Sequence, residues 1–347
     1  MRLSLAGLCG VTTAAALAMA ACGGGGPGAA DDAPDAATAV TLSFVTPTPG
    51  ATVLRDHLEP TFGWRAADLA VEVAHTGDVA TIELAAGGAD TPVATLDADG
   101  RASLTLTHAG PRTLVATARD AAGTPLATAS LDVTVADPEV ASCRAWLDLY
   151  GVAYTVGPAN EGVSDPVTLT LPVNGMRFRY IANTTQRSKF FMDCTLARSL
   201  VLAAPFWRTR GVVEVADYGV YNYRCIGSGT PPNCPNGMSQ HAYAKAIDLA
   251  AFTTADDATY TVETDWVIDP AAERTCEAAT AGDKDAWLHQ VICALKADDV
   301  WNIVLTPNYN ADHRDHFHVD LTAGSDFIRK PGVPPTSPSL DEGPNDW

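Results

Sequence analysis

Three of the eight histidines in this 347-residue chain fall within six residues, in the stretch His313-Arg-Asp-His316-Phe-His318-Val-Asp320. Phe317, Val319 and Leu321 alternate with polar residues, which predicts a strand over Phe317 to Leu321. Period two then puts His316, His318 and Asp320 on one face and the apolar residues on the other, against a core. A face of imidazoles over a packed apolar face can hold a metal ion or work as an acid-base pair. An exposed strand with incidental histidines is the plainer alternative. A second segment, Ser239-Gln-His241-Ala-Tyr-Ala-Lys-Ala-Ile-Asp248-Leu, sets a histidine and an aspartate seven apart. Asp248 stands between Ile247 and Leu249, so in a strand it faces away from the core. One imidazole and one carboxylate from this segment, with His318 from the other, make three N/O ligands and leave a fourth position open. That is the ligand count of catalytic zinc, and two imidazoles favour zinc over magnesium or calcium.

The two segments together resemble the signature of D-Ala-D-Ala carboxypeptidases and related murein-cleaving zinc peptidases. In that signature a Ser-x-His-x-x-Gly-x-Ala-x-Asp element is followed downstream by an acid and a final histidine. They resemble more closely still the bacterial extensin-like C-terminal domain family, at Ser239, His241, Ala246 and Asp248, then at His313, Asp315, His316, Phe317, His318 and Asp320. Asn308 and Asn310 fit the same pattern. The resemblance spans roughly residues 142 to 325 and departs from the pattern in two places. Ala244 stands where the general signature has glycine, and Tyr223-Arg224-Cys225 replaces a cysteine-then-arginine order.

The resemblance implies that His241, Asp248 and His318 are zinc ligands, in agreement with the spacing. It also implies that Asp315 is the general base taking a proton from water. His316 is the rival for that role, because it shares the face of His318. Ser239 becomes a substrate-binding or ligand-supporting residue, with a plain turn residue as the alternative. Arg224 becomes a catalytic residue, stabilising developing negative charge or holding a substrate carboxylate, unless it is an ordinary surface arginine. The function implied is zinc-dependent hydrolysis of peptidoglycan stem peptides, by a carboxypeptidase or an endopeptidase. Loops such as Gly227 to Asn236 would decide between these by closing or opening the cleft. The alternative is a non-catalytic cell-wall-binding surface lipoprotein.

These residues need a scaffold, and the chain offers an α+β one. Apolar or alternating runs at Val212 to Tyr218, Ala246 to Phe252, Asn302 to Thr306 and Phe317 to Leu321 predict hairpin-joined strands of an antiparallel sheet. Leu196, Leu200 and Ala203 predict a helix stopping at Pro205. A second helix has Asp283 as its N-cap and an apolar face of Trp287, Leu288, Val291, Ile292 and Leu295. This zinc carboxypeptidase-like domain covers residues 140–330. Ahead of it, residues 41–137 read as short strands separated by turns such as Asp97-Ala98-Asp99-Gly100, an all-β immunoglobulin-like sandwich with no catalytic cluster. Its role is that of a spacer or adhesive module, with His57, His75 and His108 exposed.

Residues 1–21 read as a lipoprotein signal peptide with Arg2 ahead of a short apolar run. Ala20-Ala21-Cys22 resembles a lipobox with Met19 where leucine is usual, which implies cleavage and acylation at Cys22; simple secretion is the alternative. Residues 22–40 follow as a Gly/Ala/Asp/Pro tether, and residues 331–347 form a disordered tail. The protein is thus expected to be exported and held at a membrane, facing the periplasm or the cell surface. Cys143, Cys194, Cys225, Cys234, Cys276 and Cys293 are expected to form disulfides there. Six cysteines allow 15 pairings, of which Cys143 with Cys194 is the first expectation; no Cys-x-x-Cys spacing suggests zinc. With 41 acidic against 22 basic residues and a net charge of -19, a nucleic-acid partner is excluded.

Overall fold

The computed structural model describes residues 39–87, 93–269, 275–277 and 279–328. The signal peptide, Cys22, the tether up to residue 38 and the tail lie outside the described residues. The described residues are mostly β-sheet with few helices, and from residue 40 onward they form one compact unit with two hydrophobic cores.

The first core lies between two sheets. Their strands are β1 (Thr41–Thr46), β2 (Thr52–Leu54), β3 (His57–Leu58), β4 (Arg65–Thr76), β5 (Thr81–Ala86), β6 (Ala94–Thr95), β7 (Arg101–Leu106), β8 (Gly110–Arg119) and β9 (Pro125–Ala136). One sheet is ordered β1-β4-β3 with β7 also on β4, the other β2-β9-β8-β5-β6. Alternate residues of each sheet point inward: Leu69, Val71, Val73 and Leu104 from one meet Ile82, Leu84, Leu114 and Val133 from the other. This is the expected sandwich.

The second core carries the chemistry. Its elements are α1 (Cys143–Leu149), β10 (Tyr154–Val156), β11 (Pro166–Thr170), β12 (Arg177–Tyr180), β13 (Lys189–Asp193), α2 (Cys194–Arg208), β14 (Val212–Asp217), β15 (Ala246–Thr254), β16 (Thr259–Thr261), α3 (Val262–Asp265), α4 (Asp283–Ala297), β17 (Ile303–Leu305) and β18 (Phe317–Asp320). A six-stranded sheet runs β12-β14-β15-β18-β17 with β16 beside β15, and a smaller one runs β10-β11-β13. The large sheet is not wholly antiparallel as expected, since β12 pairs parallel to β14. Leu288, Val291, Ile292 and Leu295 of α4 are buried in this core, as their spacing predicts.

Two helix boundaries differ from expectation. Asp283 is the first residue of α4, and Gly282 stands at its N-cap. Helix α2 does not stop at Pro205 but runs through it to Arg208. Proline lacks the N–H that would bond the carbonyl four residues back, at Val201. That buried carbonyl instead accepts a hydrogen bond from the Asn174 side chain at 3.0 Å. The Asn174 amide also donates to the Gly63 carbonyl at 3.0 Å, so the same side chain ties the helix to the sandwich. Tyr150 Oη donating to the Arg55 carbonyl at 2.6 Å and the Trp64–Phe206 ring pair at 4.7 Å add to this seam. The sandwich is therefore packed on its neighbour.

Three disulfides form: Cys143–Cys194, Cys225–Cys234 and Cys276–Cys293. Cys143 joins the start of α1 to the start of α2. No helix among the described residues is long and apolar enough to cross a membrane.

Candidate metal centre

Strands β15 and β18 pair antiparallel with Asp248 directly opposite His318. Ile247, Leu249, Phe317 and Val319 are fully buried beneath them, so alternation forces Asp248 and His318 onto the opposite face. His241 reaches the same place from a 3-10 turn, Gln240–Tyr243, that leads into β15. Ser239 caps this turn: its Oγ accepts from the His241 N–H at 3.3 Å. The turn ends on Ala244, in the left-handed region at φ 52. A side chain there costs about 1–2 kcal/mol, which gives a physical reason for glycine at that place in the general signature.

Three donor atoms converge. His241 Nε2 lies 3.1 Å from Asp248 Oδ1 and 3.2 Å from His318 Nδ1, and His318 Nδ1 lies 2.9 Å from Asp248 Oδ1. A tetrahedral zinc with bonds of about 2.0–2.1 Å separates its ligands by roughly 3.3 Å, so the spacing fits. The far nitrogen of each imidazole is already committed. His241 Nδ1 donates to the Val220 carbonyl at 2.7 Å, and His318 Nε2 to Asp320 Oδ2 at 3.0 Å. Both inner nitrogens are thereby left with lone pairs facing a carboxylate, an arrangement that needs a positive charge at its centre. Without metal that charge is a proton on His318. Burial alone would lower the pKa of this imidazole, but the hydrogen bonds of Asp248 and Asp320 outweigh burial and push it up to about 9. Burial likewise disfavours the Asp248 anion, yet His241 and His318 hold its carboxyl well below the usual carboxylate range. The donor set fits a zinc ion. A second grouping, Cys143, Asp165 and Cys194, does not, because its two cysteines are bonded to each other.

Around this centre lie the remaining sequence candidates. His316 Nε2 is 3.5 Å from Asp248 Oδ1, while its Nδ1 donates to Asp315 Oδ1 at 2.8 Å. Burial would raise the Asp315 pKa, but hydrogen bonds from His316 and Tyr218 bring it below the ordinary value. The His313 ring stands 5.2 Å from that of His316 and 5.8 Å from that of His318. Burial and then the nearby His318 and His316 lower its pKa to about 4, so it is neutral. Arg224 is exposed, and it meets the site through its backbone carbonyl, which accepts from the Ser239 N–H at 3.1 Å. Sequence reasoning assigns no role to Tyr218, Val220 or the Arg187–Asp217 pair. Asp217 has no exposed side chain and carries Arg187 as its ion-pair partner; burial, only partly offset by Arg187, pushes its pKa up to about 6.

Fold and site together define a disulfide-linked, mostly β chain whose sheet presents a His/Asp/His centre. Residues 141–328, more than half of the chain, match the model of the family described as extensin-like protein C-terminus. The chain belongs to that family. No curated protein matches it significantly. Among solved structures it is similar to the fibronectin(III)-like modules of Clostridium thermocellum CbhA, at 17% identity over 29% of this chain and 100% of that one, with a TM-score of 0.23. It is also similar to the Bacteroides ovatus mixed-linkage glucan utilization locus protein SGBP-B, solved with a mixed-linkage heptasaccharide. There the identity is 13% over 67% of this chain and 50% of that one, with a TM-score of 0.21.

Proposed function

We propose that this protein is a zinc-dependent peptidase acting on peptidoglycan peptides, exported and held at the membrane through Cys22. The convergence of His241 Nε2, Asp248 Oδ1 and His318 Nδ1 beside the Asp315–His316 pair is the observation that carries this reading. Three disulfides support an oxidising compartment. His241, Asp248 and His318 would hold the zinc, which in such a site polarises a carbonyl and acidifies water.

The protein's own groups handle the proton. His316 Nε2 faces the ligand set, and Asp315 sits behind the ring on Nδ1. This arrangement favours His316 as the proton acceptor, with Asp315 holding the tautomer and stabilising the imidazolium that forms. It reverses the preference for Asp315 drawn from the family pattern. The imidazolium can then return its proton to the leaving amine. Ser239 supports the turn that carries His241.

The test is mass spectrometry of purified muropeptides incubated with the full chain, with and without a chelator. Zinc-dependent loss of a terminal D-Ala or of a cross-link is expected. His316→Ala should keep zinc and lower the rate by ~100-fold or more, the usual worth of a positioned base. A similar loss in Asp315→Asn alone would return the role to Asp315. No cleavage by the zinc-loaded wild type would overturn the peptidase assignment in favour of a non-catalytic cell-wall-binding protein.

A further inference from the structure

Asp193, which ends β13 and caps α2, is fully buried, and its carboxylate accepts four hydrogen bonds. Oδ1 accepts from the Thr195 N–H at 3.1 Å and the Thr195 hydroxyl at 2.7 Å. Oδ2 accepts from the Ser164 hydroxyl at 3.0 Å and the Asp165 N–H at 3.1 Å. A helix cap needs only the first pair. The second pair fastens residues 161–165, and that segment touches both supports of His241. Gly162, at φ 81, lies so close to the His241 turn that a Cβ on it would stand 2.4 Å from the Ala242 carbonyl oxygen. The Glu161 carbonyl accepts from the Tyr221 hydroxyl at 3.1 Å, and Tyr221 follows Val220, whose carbonyl takes the Nδ1 proton of His241. Asp193 also acts through its backbone, donating its N–H to the Ala244 carbonyl at 3.1 Å. Ala244 is held in a left-handed conformation that costs about 1–2 kcal/mol, so contacts from outside the turn have to keep it there.

We propose that Asp193 is a positioning residue for the His241 side of the metal centre: its carboxylate clamps residues 161–165 to the start of α2, and with its own N–H this seats the Gln240–Tyr243 turn and the Val220 carbonyl. Asp248 and His318 are set by the pairing of β15 with β18. His241 stands on a four-residue turn and has no such ladder to fix it. The carboxylate spends its hydrogen bonds on Thr195, Ser164 and Asp165, so it reaches the centre through the backbone and not as a ligand. Both of its oxygens are needed, because the Thr195 and Asp165 N–H groups each require one. An asparagine has a single oxygen, and whichever way it turns, one of those N–H groups faces an amide nitrogen. The metal half of the inference rests on His241, Asp248 and His318 being zinc ligands; the backbone half does not.

Asp193→Asn in the full chain is compared with Asn174→Ala, which disturbs the seam with the sandwich and serves as the control for a general loss of stability. Two readouts are needed. Competition for zinc against a chromophoric chelator gives the metal affinity. Hydrogen exchange at the Ala244 and Lys245 amides, which donate to the His241 and Gln240 carbonyls at 3.1 and 3.0 Å, reports whether the turn is held. Asp193→Asn is expected to bind zinc about 10–100-fold more weakly, the usual cost of losing an orienting partner, and to exchange both amides faster; Asn174→Ala should do neither. Ser164→Ala removes one of the four contacts and should move both readouts in the same direction by less, which keeps the test decisive if Asp193→Asn does not fold. Unchanged affinity and exchange in either variant overturn the proposal, and so does a loss of affinity no larger than that of Asn174→Ala, which would mark general destabilisation. If the wild type binds no zinc but the two amides exchange faster in Asp193→Asn alone, the positioning role stands and the zinc assignment falls.

Discussion

Asp320→Asn should weaken zinc binding although Asp320 is no ligand. Asp320 is buried, and its two oxygens do different jobs: Oδ1 accepts from the Thr322 N–H at 2.8 Å and Oδ2 from His318 Nε2 at 3.0 Å. In the asparagine variant the Thr322 N–H still requires an oxygen, so the amide nitrogen is turned toward His318. Two N–H groups cannot face each other at that distance. The imidazole must either lose the contact or move its proton to Nδ1, the atom 2.9 Å from Asp248 Oδ1 and 3.2 Å from His241 Nε2. The second outcome removes a ligand lone pair. Loss of such an orienting partner commonly costs 10–100-fold in metal affinity, and at about 1.4 kcal/mol per tenfold that is about 1.4–2.8 kcal/mol. Competition for zinc against a chromophoric chelator, with wild type and Asp320→Asn compared at one pH, reads the effect directly. His318→Ala sets the floor, with no zinc retained. An Asp320→Asn affinity within twofold of wild type would refute the assignment of His318 Nδ1 as a ligand atom.

Loop-closure entropy ranks the disulfides, whose sequence separations are 51, 17 and 9. Replacing both cysteines by alanine is expected to cost about 4 kcal/mol for Cys143–Cys194, about 3 for Cys276–Cys293 and about 2.5 for Cys225–Cys234, and denaturant unfolding checks that order. Asn174→Ala leaves the Val201 carbonyl without its donor, and should cost about 1–3 kcal/mol; a melting temperature equal to wild type would contradict the account of how α2 passes Pro205. Asp217 binds its proton more tightly folded than unfolded, because its folded pKa is raised to about 6. Its contribution therefore favours the folded state fully below about pH 4 and is lost as pH rises through about 6. Asp217→Asn should flatten the stability profile across that window, and an unchanged slope between the two pH values would count against the raised pKa.

How much of this was legible in the sequence depends on the range of the force involved. Alternation is local: Ile247 and Leu249 around Asp248, and Phe317 and Val319 around His318, declare which way the ligands point before any partner strand is known. The imidazole count within six residues is equally local. The pairing that sets Asp248 opposite His318 is not local: residue types suggest that the two segments share a ligand set, but not the register that brings them together. The Val220 carbonyl and the role of Asp320 were invisible because a hydrogen-bond partner for an imidazole can come from any element, and carbonyls leave no trace in residue type. Pro205 shows the opposite failure, a strong local signal overruled from a distance. Proline predicts a helix end because one carbonyl goes unpaired, and that cost vanishes once Asn174, 27 residues upstream, supplies the missing donor. The same amide also holds Gly63 of the sandwich. The residue that lets α2 pass Pro205 is thus one of those that join the two cores.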